Sequence, residues 1–154
     1  MNDVLIEMQS GGQGVLSALR HLKNGKIVDA LAKFAENFCF TDRALGLEFT
    51  DKEQLRQFLQ NERELYPNSS LQVKKSLVGR DHVIAEWLLE STNREPFCGQ
   101  ISRDVPVSVQ GVSIVRTQKG KITEWSDYYD GHISCRTSPE SPSQSGSNTE
   151  CSKR

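Results

Sequence analysis

The chain has 154 residues, of which 36% are hydrophobic and 25% are charged, and its 19 Lys and Arg residues nearly balance its 20 Asp and Glu residues. Nucleic acids and anionic membranes are normally bound by clustered Lys and Arg, so this balance argues against both partners. No apolar run approaches the roughly 20 residues that a membrane span needs. The first residues, Met1-Asn2-Asp3, do not resemble a signal peptide, and we expect a cytoplasmic protein.

The four Cys and three His residues show no spacing typical of a zinc site or of a disulfide framework. We therefore expect no metal and no cofactor. Cys39 lies between two Phe residues and is interpreted as a small buried side chain of the core.

Two helical patterns open the chain. The apolar residues from Val15 to Leu22 follow a helical period that ends at Asn24-Gly25. Spacings of four, three and four residues predict a second helix through Ile27, Leu31, Phe34 and Phe38. Alternating apolar positions within residues 38–49 then predict two short strands.

A capping box, in which Thr50 is followed three residues later by Glu53, predicts a third helix that ends at Pro67. Four segments with a strand period follow, at residues 71–78, 83–92, 105–116 and 121–129. Helices gathered at the front and strands at the back are typical of the α+β class. We expect a curved antiparallel or mixed sheet with the three helices packed on its concave face, forming a cone-shaped barrel with an internal pocket.

Residues 134–154 contain no aliphatic or aromatic residue. Such a segment cannot bury enough surface to offset the entropy of ordering it, so the sequence predicts a disordered Ser-rich tail. Residues 1–133 remain, and this length suits a single domain.

Strand alternation places Trp125, Asp127 and Tyr129 on one face of the last strand. A carboxyl group between two aromatic side chains is desolvated, and desolvation raises its pKa towards the range useful for proton transfer. The alternative is a structural carboxylate at a strand end, bonded to backbone or solvated. The residues alone leave both interpretations open.

Two further strands contribute candidates. On strand 83–92, Trp87 and Leu89 share the apolar, inward face, although core packing would also explain them. Phe40 and Asp42 share one face of the first short strand, so Asp42 is a second inward carboxyl if that strand borders the cavity. An Asp-Arg pair before Gly46 is also an ordinary turn composition.

The run Gly120-Lys-Ile-Thr-Glu-Trp-Ser-Asp-Tyr-Tyr-Asp130, preceded by residues 111–116 and 83–87, resembles the SnoaL-like branch of the nuclear transport factor 2-like superfamily. This branch includes polyketide cyclases and limonene-epoxide hydrolases. The resemblance covers residues 15–131. It implies an α+β barrel around an apolar pocket, usually dimeric through the outer face of the sheet, whereas function must be transferred residue by residue.

The resemblance argues against epoxide hydrolysis. Asp127 matches one Asp of the epoxide hydrolase site, but the Arg-x-Asp pair of that site falls on Trp87 and Leu89. The Tyr and Asn of that site fall on Phe40 and Asp42. With four of five positions lost, we do not expect that mechanism.

The resemblance to ketosteroid isomerases is also incomplete. Asp42 lies where their base would be, but their oxygen-binding Tyr and Asp fall near Ala18 and Val112. Without such donors, the enolate oxygen would lack the stabilisation that these enzymes provide.

A SnoaL-like cyclase requires a shaped apolar cavity and one acid/base aspartate. The resemblance assigns that aspartate to Asp127, with Asp42 as a second catalytic candidate. The expected substrate-binding side chains are Phe40, Trp87, Leu89, Trp125 and Tyr129. We therefore expect a homodimer that binds a small apolar organic molecule, with cyclase-like or isomerase-like proton transfer. The alternative is a non-catalytic ligand-binding or dimerisation module of the same fold.

Overall fold

A computed structural model describes residues 2–93 and 105–131, with side chains described for residues 12–91 and 108–131. The predicted α+β class is confirmed. The predicted tail from residue 134 lies outside the described residues. The elements are α1 (Asn2–Lys23), α2 (Ile27–Leu31), β1 (Phe34–Asp42), β2 (Leu47–Phe49), α3 (Lys52–Leu65), β3 (Ser70–Val78), β4 (His82–Asn93), β5 (Val105–Gln118) and β6 (Lys121–Tyr129).

The strands form one six-stranded mixed sheet in the order β2-β1-β6-β5-β4-β3. Among the strands of residues 2–93 and 105–131, β1 and β6 pair in parallel and the other neighbours are antiparallel. Within the described residues, the edge strands β2 and β3 do not pair with each other, so the sheet is open. The cone-shaped barrel that the sequence predicts is therefore not confirmed, although its four long strands are found within two residues of their predicted ends.

The helices and the inner face of the sheet share one apolar core. Val15 and Leu19 of α1 are buried against this face, and Leu55 of α3 is fully buried. α1 ends at the predicted Asn24-Gly25 stop. The φ of Gly25 is +70°, a backbone conformation that favours a residue without a side chain. No helix in the described part of the chain has both the length and the apolar character of a membrane span.

The prediction of the second helix was wrong in its length. α2 ends at Leu31, and β1 begins at Phe34, which lies opposite Ile122 of β6. Phe34 and Phe38 are both buried. A spacing of four residues fits one helical turn and also two strand periods, so burial alone could not distinguish the two structures.

Two local predictions also differ from the structure. The N-cap of α3 is Asp51 rather than Thr50, because the Asp51 side chain accepts a hydrogen bond of 2.9 Å from the Gln54 N–H. Cys39 is half-buried rather than fully buried, and its Sγ lies 3.7 Å from Oγ1 of Thr41.

Candidate active site

The register of β4, β5 and β6 brings the inward residues of three strands into rows. Ala85 lies opposite Ser113, which lies opposite Asp127. In the next row, Gly111 lies between Trp87 and Tyr129. Because successive side chains of a strand alternate between faces, both rows point to the helix-covered side of the sheet.

A cavity of about 250 Å³ lies between these rows and the helices α1 and α3. All of the side chains that the sequence predicts for the site line it. Its apolar lining consists of Leu19, Leu22, Phe40, Phe58, Leu59, Leu71, Trp87, Leu89, Val109 and Trp125. Its polar lining consists of Asp42, Glu62, Tyr66, Ser91, Ser113, Asp127 and Tyr129.

The two carboxylate oxygens of Asp127 differ in their surroundings. Oδ1 accepts hydrogen bonds from Oγ of Ser113 at 2.5 Å and from Nε1 of Trp125 at 2.6 Å. Nε1 of Trp87 donates in turn to Oγ of Ser113 at 2.9 Å. Oδ2 accepts no hydrogen bond from any described residue. One oxygen is therefore held in place by two donors, whereas the other has no donor in the part of the chain that the structure describes.

Burial raises the pKa of Asp127 from 3.8 to about 6. The hydrogen bonds from Ser113 and Trp125 oppose this rise because they favour the charged form, while the charge of Asp42 adds to it. A carboxyl group with a pKa of about 6 exchanges its proton readily near neutral pH, which is what a general acid/base requires.

Asp42 also lines the cavity, but both of its oxygens have partners. Oδ2 accepts a hydrogen bond of 2.9 Å from the Tyr129 hydroxyl, and Oδ1 accepts one of 2.8 Å from the Leu45 N–H. Asp42 therefore faces the cavity and also closes the turn, while its catalytic role stays a prediction. Burial, followed by the bond to Asp42, raises the pKa of the Tyr129 phenol.

Several polar residues of the cavity are not among those that the sequence predicts. Glu62 and Tyr66 come from α3 and from its C-cap. They continue the helical spacing of Phe58 and Leu59, which is the signal that could have found them. Ser113 lies on the inward face of β5, where the same alternation that located Asp127 would have placed it.

The pKa values of Glu62 and Tyr66 are also raised. Burial, followed by the charge of Asp42, raises the pKa of Glu62. Burial, followed by the charge of Glu62, raises the pKa of Tyr66 to about 12. The cavity thus contains three carboxyl groups, but no three His, Cys, Asp or Glu side chains of the described residues are grouped to hold a metal ion.

Many solved structures share this fold, and three of them illustrate its range. A protein with a ketosteroid isomerase-like fold from Catenulispora acidiphila, in complex with trimethylamine, is 21% identical, with a TM-score of 0.69 over 80% of this chain and 91% of that chain. IdmH, a proposed polyketide cyclase from Streptomyces antibioticus, is 14% identical, with a TM-score of 0.72 over 81% and 95%. An epoxide hydrolase of the LEH-like type from M. tuberculosis is 12% identical, with a TM-score of 0.67 over 84% and 89%. Identities this low establish a shared fold and not a shared reaction.

A comparison of the sequence with family profiles gives a more specific result. Residues 14–132 match the family described as SnoaL-like polyketide cyclase. No curated protein matches the sequence. The family match covers far more than half of the chain and confirms the resemblance inferred from the residues. The protein therefore belongs to the SnoaL-like polyketide cyclase family.

Proposed function

We propose that the protein binds a compact, mostly apolar organic molecule in the cavity and transfers a proton on it with Asp127 as general base and acid. The observation that carries this proposal is the asymmetry of the Asp127 carboxylate. Oδ1 is held by two donors, whereas Oδ2 has no partner among the described residues and belongs to a side chain that lines the cavity.

The reaction that fits best is an intramolecular aldol closure. Oδ2 of Asp127 removes a proton from the carbon next to a carbonyl group, and the resulting carbanion attacks a second carbonyl carbon of the same molecule. A carbon–carbon bond forms, the C=O π bond opens, and the proton returns from Asp127 to the new alkoxide. No atom is lost, and the cavity contributes by holding the two reacting carbons close together.

The charge of the cavity favours a ligand without negative charge. Its lining includes Asp42, Glu62 and Asp127, and the described lining residues include no Lys, Arg or His. An anionic ligand would meet like charges in an apolar setting where they are poorly screened. Neutral di- and polyketones are therefore the substrates to test first.

The test compares Asp127→Asn with the wild type for exchange of α-hydrogens on neutral 1,3-diketones in D₂O, followed by proton NMR. Loss of a positioned general base should slow exchange by a factor on the order of 10² to 10⁴. Glu86→Gln, the same acid-to-amide change on the exposed outer face of β4, should exchange at the wild-type rate. Equal rates for Asp127→Asn and the wild type would contradict the proposal.

A non-catalytic binding module is the second candidate, and one observation favours it. The hydroxyl groups of Ser113 and Tyr129 already donate to Asp127 and Asp42. Both indole N–H groups also donate to protein oxygens. These groups cannot stabilise a developing enolate without breaking an existing bond. Binding of neutral apolar ligands without any exchange in the wild type would favour this candidate.

We also propose a cytoplasmic homodimer that forms through the outer face of the sheet. Leu77, Ile84 and Ile114 lie side by side in register on three strands, and each is at least 40% exposed. Contiguous exposed apolar side chains are typical of interfaces. Light scattering should give twice the chain mass, and Ile114→Lys should give the mass of one chain. A wild-type protein that is monomeric at micromolar concentration would contradict the dimer.

A further inference from the structure

The hydrogen bonds that end at Asp127 have a fixed direction. An indole N–H can only donate, so Nε1 of Trp87 must donate to Oγ of Ser113. With that bond made, the hydroxyl hydrogen of Ser113 is directed to Oδ1 of Asp127, 2.5 Å away. Trp125 donates to the same oxygen. Ser113 therefore has one defined role in this chain of bonds, as a donor to Oδ1.

We propose that Ser113 is a positioning residue for Asp127, held in its donating orientation by Trp87, so that Oδ2 alone takes part in proton transfer. This inference rests on the proposed function of Asp127. Two donors on one oxygen prevent the carboxylate from rotating to exchange its two oxygens. They also hold Oδ2 at the cavity, where no described residue donates a hydrogen bond to it.

Gly111 makes the chain of bonds possible. It lies directly opposite Trp87 across β4 and β5, and a Cβ at Gly111 would overlap the six-membered ring of the Trp87 indole. The indole therefore lies over the backbone of β5 and reaches Ser113, two residues further along that strand. The sequence predicts Trp87 only as a wall of the cavity, and its N–H has this additional role.

The same bonds act on the acidity of Asp127. Among the described residues, the charged or titratable groups that share its cavity are Asp42 from β1, Glu62 and Tyr66 from the α3 region, and Tyr129 from β6. Leu19 and Leu22, which line the cavity from the half of α1 whose side chains are described, are apolar. None of these neighbours supplies a positive charge, so the donors Ser113 and Trp125 are what favours the ionised form.

The test is a titration of the Asp127 carboxyl by ¹³C NMR in the full chain, with Asp127→Asn to assign the signal. Ser113→Ala should raise the pKa by about one unit or more, because a hydrogen bond to a charged group is lost. Trp87→Phe keeps an aromatic ring but removes the N–H, and it should raise the pKa of Asp127 by a smaller amount. Ser113→Thr retains the hydroxyl and should restore a value near that of the wild type.

Ser126→Ala is the matched control. Ser126 neighbours Asp127 on the same strand, but it lies on the opposite face of the sheet. This variant should titrate like the wild type. An unchanged Asp127 pKa in folded Ser113→Ala would overturn the proposal. If Ser113→Ala does not fold, an unchanged pKa in Trp87→Phe and in Gly111→Ala, which displaces the indole, would overturn it instead.

The titration also separates this inference from the proposed function, because it needs no substrate. If the wild type catalyses exchange, Ser113→Ala should shift the pH profile of kcat/KM to higher pH, in step with the pKa of Asp127 measured by NMR. KM at high pH should change little. A shifted NMR pKa without any exchange would overturn the proposed catalysis but leave the effect of Ser113 on the acidity of Asp127 established. Exchange that depends on Asp127 but not on Ser113 would overturn the positioning role alone.

Discussion

Asp42 and Asp127 are the same residue type, lie opposite each other on the parallel strands β1 and β6, and line the same cavity. They differ in how hydrogen-bond donors are distributed over their oxygens. Each oxygen of Asp42 accepts one bond, whereas both donors to Asp127 share Oδ1. Residue type and location are therefore the same for both carboxylates, and the distribution of donors is what distinguishes them. On the proposed function, that distribution separates a reactive carboxylate from a structural one.

The backbone explains this difference. Asp42 ends β1 at a turn, where the Leu45 N–H is not needed for strand pairing and is available to a side chain. Asp127 lies within β6, between β1 and β5, where backbone N–H groups pair with neighbouring strands. Its donors must therefore come from side chains, and only Ser113 and Trp125 supply them among the described residues.

The largest expected effect is on stability at Asp127. On folding, the pKa of this carboxyl rises from 3.8 to about 6. The rise leaves the free energy of unfolding unchanged below about pH 4 and lowers it by the full amount above about pH 6. A shift of about two units corresponds to roughly 3 kcal/mol. Asp127→Asn should therefore raise the free energy of unfolding by up to about 3 kcal/mol at pH 8 and have little effect at pH 4. Urea unfolding at both pH values measures this difference.

The control for Asp127→Asn is Asp51→Asn at the N-cap of α3. Asn and Asp are about equally good caps, so this change should be close to neutral at both pH values. A loss of stability in Asp127→Asn at pH 8 would mean that the bonds from Ser113 and Trp125 outweigh burial. Asp127 would then be a structural carboxylate like Asp42.

Asp42 should respond in the opposite direction. Asp42→Ala leaves the Leu45 N–H and the Tyr129 hydroxyl without their acceptor, and it should cost about 2 kcal/mol at pH 7. Thermal unfolding of Asp42→Ala beside Asp127→Asn would show Tm values on opposite sides of the wild type. A neutral Asp42→Ala would remove the structural role assigned to this residue.

Tyr129→Phe should have the smallest effect. It removes the donor to one oxygen of Asp42 but leaves the bond from the Leu45 N–H, so we expect a loss of about 1 kcal/mol. The double variant Tyr129→Phe with Asp42→Ala should lose less stability than the sum of the two single changes, because both remove the same bond. Additive losses would show that the hydroxyl contributes little through Asp42.

Strand periodicity made much of this architecture predictable. The register of β6 shifts between Ile122 and Glu124, but from Glu124 to Tyr129 its residues pair with β5 in unbroken order. Alternation over that part of the strand assigns Trp125, Asp127 and Tyr129 to one face. Periodicity could not show which oxygen of Asp127 is bonded, because that depends on Ser113 and Trp87 from two other strands.

Two other features needed tertiary information. Glu62 continues the helical spacing of Phe58 and Leu59, but whether that face of α3 lines a cavity depends on how the helix packs on the sheet. Phe34 and Phe38 satisfy helix and strand spacing equally well, and the pairing of β1 with β6 decides between them. Thr50 and Asp51 are both good N-caps, so the start of α3 was uncertain by one residue.

The parallel pairing of β1 with β6 has a consequence for how the protein is made. The bond from Tyr129 to Asp42 joins residues 87 positions apart, so it closes a long loop between the first and last strands of the sheet. During synthesis, β1 leaves the ribosome well before its partner exists. The two aspartates can meet only after nearly the whole domain has been translated, and a chain that stops before β6 has neither Asp127 nor a completed cavity.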